Sequence, residues 1–312
     1  MKNRFYKVLS LLIGVCLFCA CAAPVSAAEA QAEKQKVIAF TFDDGPNTGV
    51  CAQVLDVLKE NDVVATFFVN AMHINENTAP VMKRMADEGH QIGSHGYNHK
   101  FMTSWTIEQI MEDWEASSDA IYESAGVRPT VMRWPNLSQP RIIAEDPDIF
   151  PYPTFGGMPG GPDDWNDEVD VQERIDKVVN NAQDGAIVLL HCFEGNWQTP
   201  EALETIIPEL KAQGYEFVTL DELFVRQNCE PTLGKQWGVV PYTPVVTYGD
   251  VNDDGKINSR DSLLLRQYIA DYDVEINELA ADVYRTGKVN AADSLLLRQY
   301  IAKYPVELGK EL

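Results

Sequence analysis

"VIAFTFDDGPN", Val37 to Asn47, opens as a run of β-branched and aromatic residues and closes on two adjacent carboxylates and a Gly-Pro break. The run reads as a strand bound for a core. The carboxylates of Asp43 and Asp44 repel one another, and each favours protonation of the other unless a cation or donor answers the charge. A turn would by itself account for Asp and Gly at this point, so the rest of the chain has to decide.

Working outward, short apolar runs alternate with helical patterns. Val50, Val54, Leu55 and Leu58 repeat at helical spacing, "VVATFFV" reads as a second strand, and "APVMKRMADEG" as a helix stopped at Gly89. "QIGS", a helix over Ile107 to Ser124 and "TVMR" follow. Then come "YPTFGG", a helix from Val171, "AIVLL", a helix over Glu201 to Gln213, and "YEFVTL". This βαβ order predicts an α/β fold with a largely parallel sheet, either barrel or doubly wound. In both architectures the chemistry gathers past the C-terminal ends of the strands.

Those positions hold Asp43, Asp44, His95, Arg133, Asp164 and His191. "SHGYNH" sets His95 and His99 four residues apart. With a carboxylate as third ligand, such a pair leaves a fourth position for water, as catalytic zinc sites do. The chain has five histidines; His73 and His90 read as structural.

The length of 312 residues and a hydrophobic fraction of 45% allow one large domain plus a small one. Lys2, Arg4 and Lys7 precede an apolar run from Val8 to Ala20 and the small-x-small pattern Val25-Ser26-Ala27. Residues 1–27 therefore read as a secretory signal peptide, and the product as secreted and extracellular. The run is too short to span a membrane, and a lipoprotein reading at Cys21 is the lesser alternative. Export leaves Cys51, Cys192 and Cys229, which rules out a disulfide scaffold. A formal net charge of -22 argues against nucleic acid or an anionic membrane as partner.

"DSLLLRQYIA" occurs at Asp261 to Ala270 and again, letter for letter, at Asp293 to Ala302. A duplicated unit is the reading. A proline-bearing stretch without helical period precedes it, which predicts a first domain over 28–226, a linker over 227–248 and a second domain over 249–312. "DVNDDGKINSRD" fits an EF-hand-type calcium loop, with Asp250, Asn252, Asp254, the Lys256 carbonyl, Asn258 and Asp261 as ligands and Gly255 at the tight turn. The second loop keeps Asp282, Asn290 and Asp293 but has Tyr284 and Thr286 at two ligand positions. Calcium is expected to bind more strongly in the first loop than in the second.

In order, "TFDDG", "SHGYNH", "RWPN", "DDW" and "LLH" resemble the motifs of the polysaccharide deacetylases of carbohydrate esterase family 4, over about Val37 to Phe224. The resemblance implies a distorted (β/α) barrel. It implies one divalent transition metal, Zn or Co, on Asp44, His95 and His99, with Asp43 as general base held ionised by Arg133. His191 would be the general acid, oriented by Asp164, and the backbone N–H of Asn136 the oxyanion donor. Trp165, Leu189 and Pro135 would wall the acetyl pocket, although core packing explains Trp165 and Leu189 equally well from the residues alone. The chain departs from the pattern at Asn136, where an aromatic is usual, and at Gly161 and Cys192, where an acid is frequent.

The duplicated loop-helix unit resembles a type I dockerin, a small all-α calcium-binding module, which implies a cohesin module of a scaffoldin as partner. Together the two resemblances imply a cellulosome subunit acting on acetylated plant cell-wall polysaccharide, acetylxylan in particular. N-deacetylation of chitin or peptidoglycan sugars is the enzymatic alternative, and a non-catalytic glycan-binding subunit the alternative of another class.

Overall fold

The computed structural model describes residues 34–310, so the expected signal peptide and the alternative at Cys21 lie outside the described residues. The first elements are β1 (Lys36–Gly45), α1 (Val50–Glu60), β2 (Thr66–Val69), α2 (Ala79–Asp87), β3 (Gln91–Ser94), α3 (Ile107–Ala125), α4 (Arg141–Glu145) and β4 (Thr154–Phe155). There follow α5 (Val171–Asn181), β5 (Ala186–His191), α6 (Gln198–Ala212), β6 (Tyr215–Phe217), α7 (Leu220–Arg226) and β7 (Gln236–Trp237). Three helices, α8 (Ser259–Ile269), α9 (Glu278–Ala281) and α10 (Ala291–Ile301), belong to the C-terminal repeat. No described helix is long and apolar enough to cross a membrane.

Strand β1 is central. The sheet runs β3-β2-β1-β5, with β6 pairing the first residues of β1, and every pairing is parallel. Past β3 the connections thin to single bridges, Ser94 to Met132 and Met132 to Thr154; β4 then pairs with β7, and Val239 bridges back to Ala186 of β5. The ring closes into a distorted barrel. Prolines at 129, 135, 151 and 153 flank the weak side, and a residue without N–H cannot extend a ladder. That is why "TVMR" contributes one bridging residue, Met132, where a strand was expected.

Alternation along β1 divides the interior in two. Ile38, Phe40 and Phe42 pack outward with Val54, Leu55 and Leu58 of α1 and Ile206, Ile207 and Leu210 of α6. Val37 and Ala39 face inward, packing with Phe68, Phe155, Ile187 and Val240. Thr41 and Asp43 share that inward parity. The barrel interior is thus apolar at the bottom and polar at the top.

Part of the expected linker belongs to this barrel. Strand β7 lies within 227–248; Trp237 is 4% exposed and Val240 fully buried. The Val240 N–H donates to Gly185 O at 2.8 Å, and the Gly185 N–H donates in turn to Val37 O of β1 at 2.8 Å. Val240 O comes so close to Gly185, whose φ is +82°, that no side chain fits there. A two-residue strand carries no readable period, so an irregular but packed path looks like a linker in the sequence. The last of these ties is the Thr243 N–H donating to Gln227 O at 2.8 Å.

In the C-terminal repeat, Val251, Leu265, Ala281 and Leu297 form a small core. Helices α8 and α10 begin alike: Asn258 and Asn290 are N-caps, each in a reciprocal box with the Asp three residues on.

Trp237→Ala should lower stability by about 3–5 kcal/mol in urea denaturation, as truncating a buried aromatic does. Val245→Ala, a few residues further and 78% exposed, should leave the midpoint unchanged. Equal midpoints for the two variants would contradict the packed path.

Candidate active site

The inward parity of β1 delivers Asp43 to the top of the barrel, and a second device delivers Asp44 to the same side. Strict alternation would send Asp44 toward the helices. The β1–β2 register slips between Asp43 and Gly45, and Asp44 takes a left-handed φ of 70°. Neighbouring carboxylates then enter one cleft. Asn70, which follows β2, donates its Nδ2 hydrogen to Asp44 Oδ1 at 2.8 Å.

Arg133 lies beneath them, fully buried. Its Nη1 donates to Asp43 Oδ1 at 2.7 Å and to Thr41 Oγ1 at 2.8 Å, its Nε to Phe155 O at 3.2 Å and its Nη2 to Gly156 O at 2.6 Å. Burial alone would raise the Asp43 pKa, but the charge of Arg133, helped by His95 and His191, outweighs it and holds the carboxyl below its ordinary value.

His95 follows β3, and its Nδ1 donates to Arg133 O at 2.8 Å, which leaves Nε2 as the free lone pair. Burial lowers the pKa of this imidazole despite the two aspartates, favouring the neutral, ligating form. His99 is turned back by a φ of 53°. Asp113 of α3 holds the loop between them, accepting the Tyr97 N–H at 2.9 Å. Asp44 Oδ1 is 3.7 Å from His95 Nε2 and 3.6 Å from His99 Nε2, and one ligand atom from each of the three lies within 4.8 Å of the others. Two imidazoles and one carboxylate suit zinc or a similar divalent transition metal, and the free Nε2 of His95 fits that use.

His191 closes β5 opposite Asp43 in the ladder. Its Nδ1 is 2.7 Å from Asp164 Oδ1, and its backbone N–H donates to Asp164 Oδ2 at 2.8 Å. Burial would lower its pKa, but the charge and hydrogen bond of Asp164 raise it to about 9. The ring is therefore cationic at neutral pH, with Nδ1–H as the donor to Asp164.

Asp43, Asp44, His95, His99, Asn136, Asp164, Trp165, Leu189 and His191 line one cleft of about 600 Å³. Trp165 is 63% exposed, which removes core packing as its explanation. Pro135 corrects the expected pocket wall: it is buried and does not line the cleft. The turn it begins is bent at Asn136 and Leu137, with φ of 56° and 54°, so Asn136 and Leu137 reach the cleft in its stead. Cys51, Cys192 and Cys229 are free thiols, and burial pushes that of Cys192 well up, consistent with an unreactive group.

The sequence reading missed Thr41, Asn70, Arg174, Asn196 and Thr199, which hold the reactive groups. Polar residues at strand parity or just past His191 were the available signal, but their partners are far away in the chain.

In the first C-terminal loop, Asp250 accepts the N–H groups of Asp254 and Gly255 at 3.0 and 2.8 Å, and Asp261 those of Val251 and Asn258 at 2.9 and 2.8 Å. Asp282 and Asp293 repeat this frame around Thr286, Gly287, Tyr284 and Asn290. The loops thus share a backbone and differ in side-chain oxygens.

A polysaccharide deacetylase family model matches residues 30–147, and a dockerin type I model residues 248–302. The chain is 40% identical over 203 residues to a bifunctional xylanase/deacetylase of Pseudobutyrivibrio xylanivorans, covering 64% of this chain and 32% of that one. It is 36% identical over 213 residues to a peptidoglycan-N-acetylglucosamine deacetylase of Listeria monocytogenes, covering 66% and 42%. The match therefore spans about a third and two fifths of these relatives' own lengths. A cobalt-bound family 4 acetyl xylan esterase from Clostridium thermocellum is similar in structure, with a TM-score of 0.62 and 36% identity over 66% of this chain and 100% of that one. With the fold, the cleft and the duplicated loops agreeing, the chain belongs to the polysaccharide deacetylases of carbohydrate esterase family 4 and carries a type I dockerin domain at its C-terminus.

Proposed function

We infer that the protein is a secreted, metal-dependent carbohydrate esterase that removes acetyl groups from acetylxylan, attached through its dockerin to a scaffoldin cohesin in a cellulosome. The observation that carries this reading is the convergence on one cleft of an Arg133-held carboxylate, an Asp/His/His cluster and an Asp164-held imidazole. A zinc or cobalt ion held by Asp44, His95 and His99 would supply Lewis-acid charge that acidifies water and polarises the acetyl carbonyl.

The chain's own groups account for the proton transfers. Asp43, ionised and fixed by Arg133, takes the proton of the attacking water. Hydroxide adds to the carbonyl carbon, and the Asn136 N–H donates to the oxyanion. His191, charged and held through Nδ1, gives its Nε2 proton to the departing sugar oxygen. Acetate and a free hydroxyl leave, with the methyl group facing Trp165 and Leu189 before release.

Acetylxylan is favoured because relatives named for xylan chemistry stand beside a dockerin on this chain. The Listeria relative supports amide cleavage as the second reading, since the same proton transfers serve an N-acetyl group. Acetate release from acetylated xylan and from acetylated chitooligosaccharides separates them. Release from xylan alone is expected; release from the amide alone would transfer the assignment.

Asp43→Asn should reduce turnover about 10²–10⁴-fold, the range for a lost general base. A transition-metal chelator that spares calcium, such as 1,10-phenanthroline, should abolish acetate release and zinc or cobalt should restore it, with circular dichroism unchanged throughout.

Proton donation by His191 is available below its folded pKa and is lost as pH rises through it, so kcat/KM should fall on the alkaline side near 9. Asp164→Asn removes the charge that raises this value and should move the alkaline limb down by about 1–3 units. An unmoved limb would show that another group governs it.

The dockerin should bind calcium more tightly in the first loop, whose Asn252 and Asp254 offer oxygens where Tyr284 and Thr286 stand in the second. Two sites of unequal affinity are expected by calorimetry on the full chain, and Tyr284→Asn should tighten the weaker one.

A further inference from the structure

The hydrogen bonds behind His191 end on a cation that the reaction itself does not use. Arg174, on α5, is 1% exposed, and a guanidinium has donors only. Its Nη1 donates to Asn196 Oδ1 at 2.6 Å and to Thr199 Oγ1 at 3.1 Å, and its Nε to Val169 O at 3.0 Å. These contacts set the polarity of two side chains that could otherwise face either way. The Thr199 hydroxyl, accepting from Arg174, has its own hydrogen left for Asp164 Oδ2, at 2.7 Å. Asn196 shows its carbonyl oxygen to Arg174 and so turns its amide hydrogens to Asp164 Oδ2 at 3.2 Å and His191 O at 3.0 Å. With the His191 N–H, three donors converge on Oδ2, and the ring Nδ1 has Oδ1.

We propose that Arg174 is a positioning residue for the general acid: by fixing the donor direction of Thr199 and Asn196, it locks Asp164 in the rotation that keeps the hydrogen on His191 Nδ1 and turns Nε2 to the cleft. This rests on the reading of His191 as the acid. It also gives Asp164 support that does not depend on an acid at position 161, where this chain has glycine. The support comes instead from Arg174 on α5, Asn196 after β5 and Thr199 on α6. Arg174 is chemically suited to the end of such a chain, because its charge opposes that of Asp164 across a single layer of neutral side chains.

The test uses the full-length protein with 15N-labelled histidine rings, His191 being assigned by the signal lost in His191→Gln. In the unaltered protein the neutral ring of His191 should carry its hydrogen on Nδ1. Arg174→Met and Thr199→Val should give mixed tautomers, with kcat about 10–100-fold lower and KM changed by less than about twofold. Arg174→Lys should recover part of both. Thr199→Val keeps Arg174 and its Asn196 bond, so it tests the proposal alone if Arg174→Met does not fold. An unaltered His191 tautomer in the folded variants would overturn the proposal, whatever happened to turnover. A changed tautomer in a protein that releases no acetate would leave the positioning role standing and remove the esterase reading instead.

Discussion

Arg133 carries a full charge into a position with no solvent exposure, and much of the barrel is arranged to answer it. Its hydrogen bonds reach β1 through Thr41 and Asp43 and the β4 side through Phe155 O and Gly156 O. Its guanidinium also lies 4.4 Å from the Phe68 ring centre. Desolvating a guanidinium and a carboxylate together is costly, and removing one partner of such a pair destabilises by about 3–5 kcal/mol because the other is left buried and unpaired. The same pair that joins opposite sides of the barrel keeps Asp43 ionised. Structure and reactivity depend here on one contact.

The layering of β1 explains why the pair sits where it does. Inward residues progress from Val37 and Ala39 to Thr41 and Asp43, so the barrel is filled by hydrocarbon below and by charge above. Asp44 breaks the alternation at a local cost, since a non-glycine residue in a left-handed conformation is strained by about 1–3 kcal/mol. The strain places one carboxylate with Arg133 and the other with two imidazoles. Asp43 is answered by the charge of Arg133 and Asp44 by the Asn70 amide, which eases the repulsion that adjacent aspartates would otherwise suffer.

His191 shows the complementary design. Asp43 is kept below its ordinary pKa by a buried cation, while His191 is raised to about 9 by a buried anion. Opposite shifts on two groups facing one cleft suit them to the proposed roles of base and acid. The anion is in turn held by Asn196 and Thr199, and those by Arg174, so the network alternates in charge from the cleft into the core without leaving a buried ion unpaired.

Several features of the protein were legible without coordinates. The apolar period of β1 and the helices named α/β, the exact repeat named a duplicated module, and the aspartates and histidines that line the cleft stood out as unusual side chains at strand ends. What the sequence could not express were relations between distant residues of ordinary type. Nothing local distinguishes Thr199 or Arg174 from any other polar residue on a helix; they matter because β5, α5 and α6 bring them together around Asp164. Trp237 looked like linker because two-residue strands have no period, and its role exists only once the barrel closes. Pro135 was a reasonable wall until backbone angles at Asn136 and Leu137 turned the next residues inward. Sequence alone therefore determined which chemistry and which fold class the chain carries, because residue type and periodicity are local properties. Tertiary structure alone decided which groups hold the reactive ones in position, because hydrogen-bond direction, burial and charge pairing are properties of neighbours that the chain order does not name.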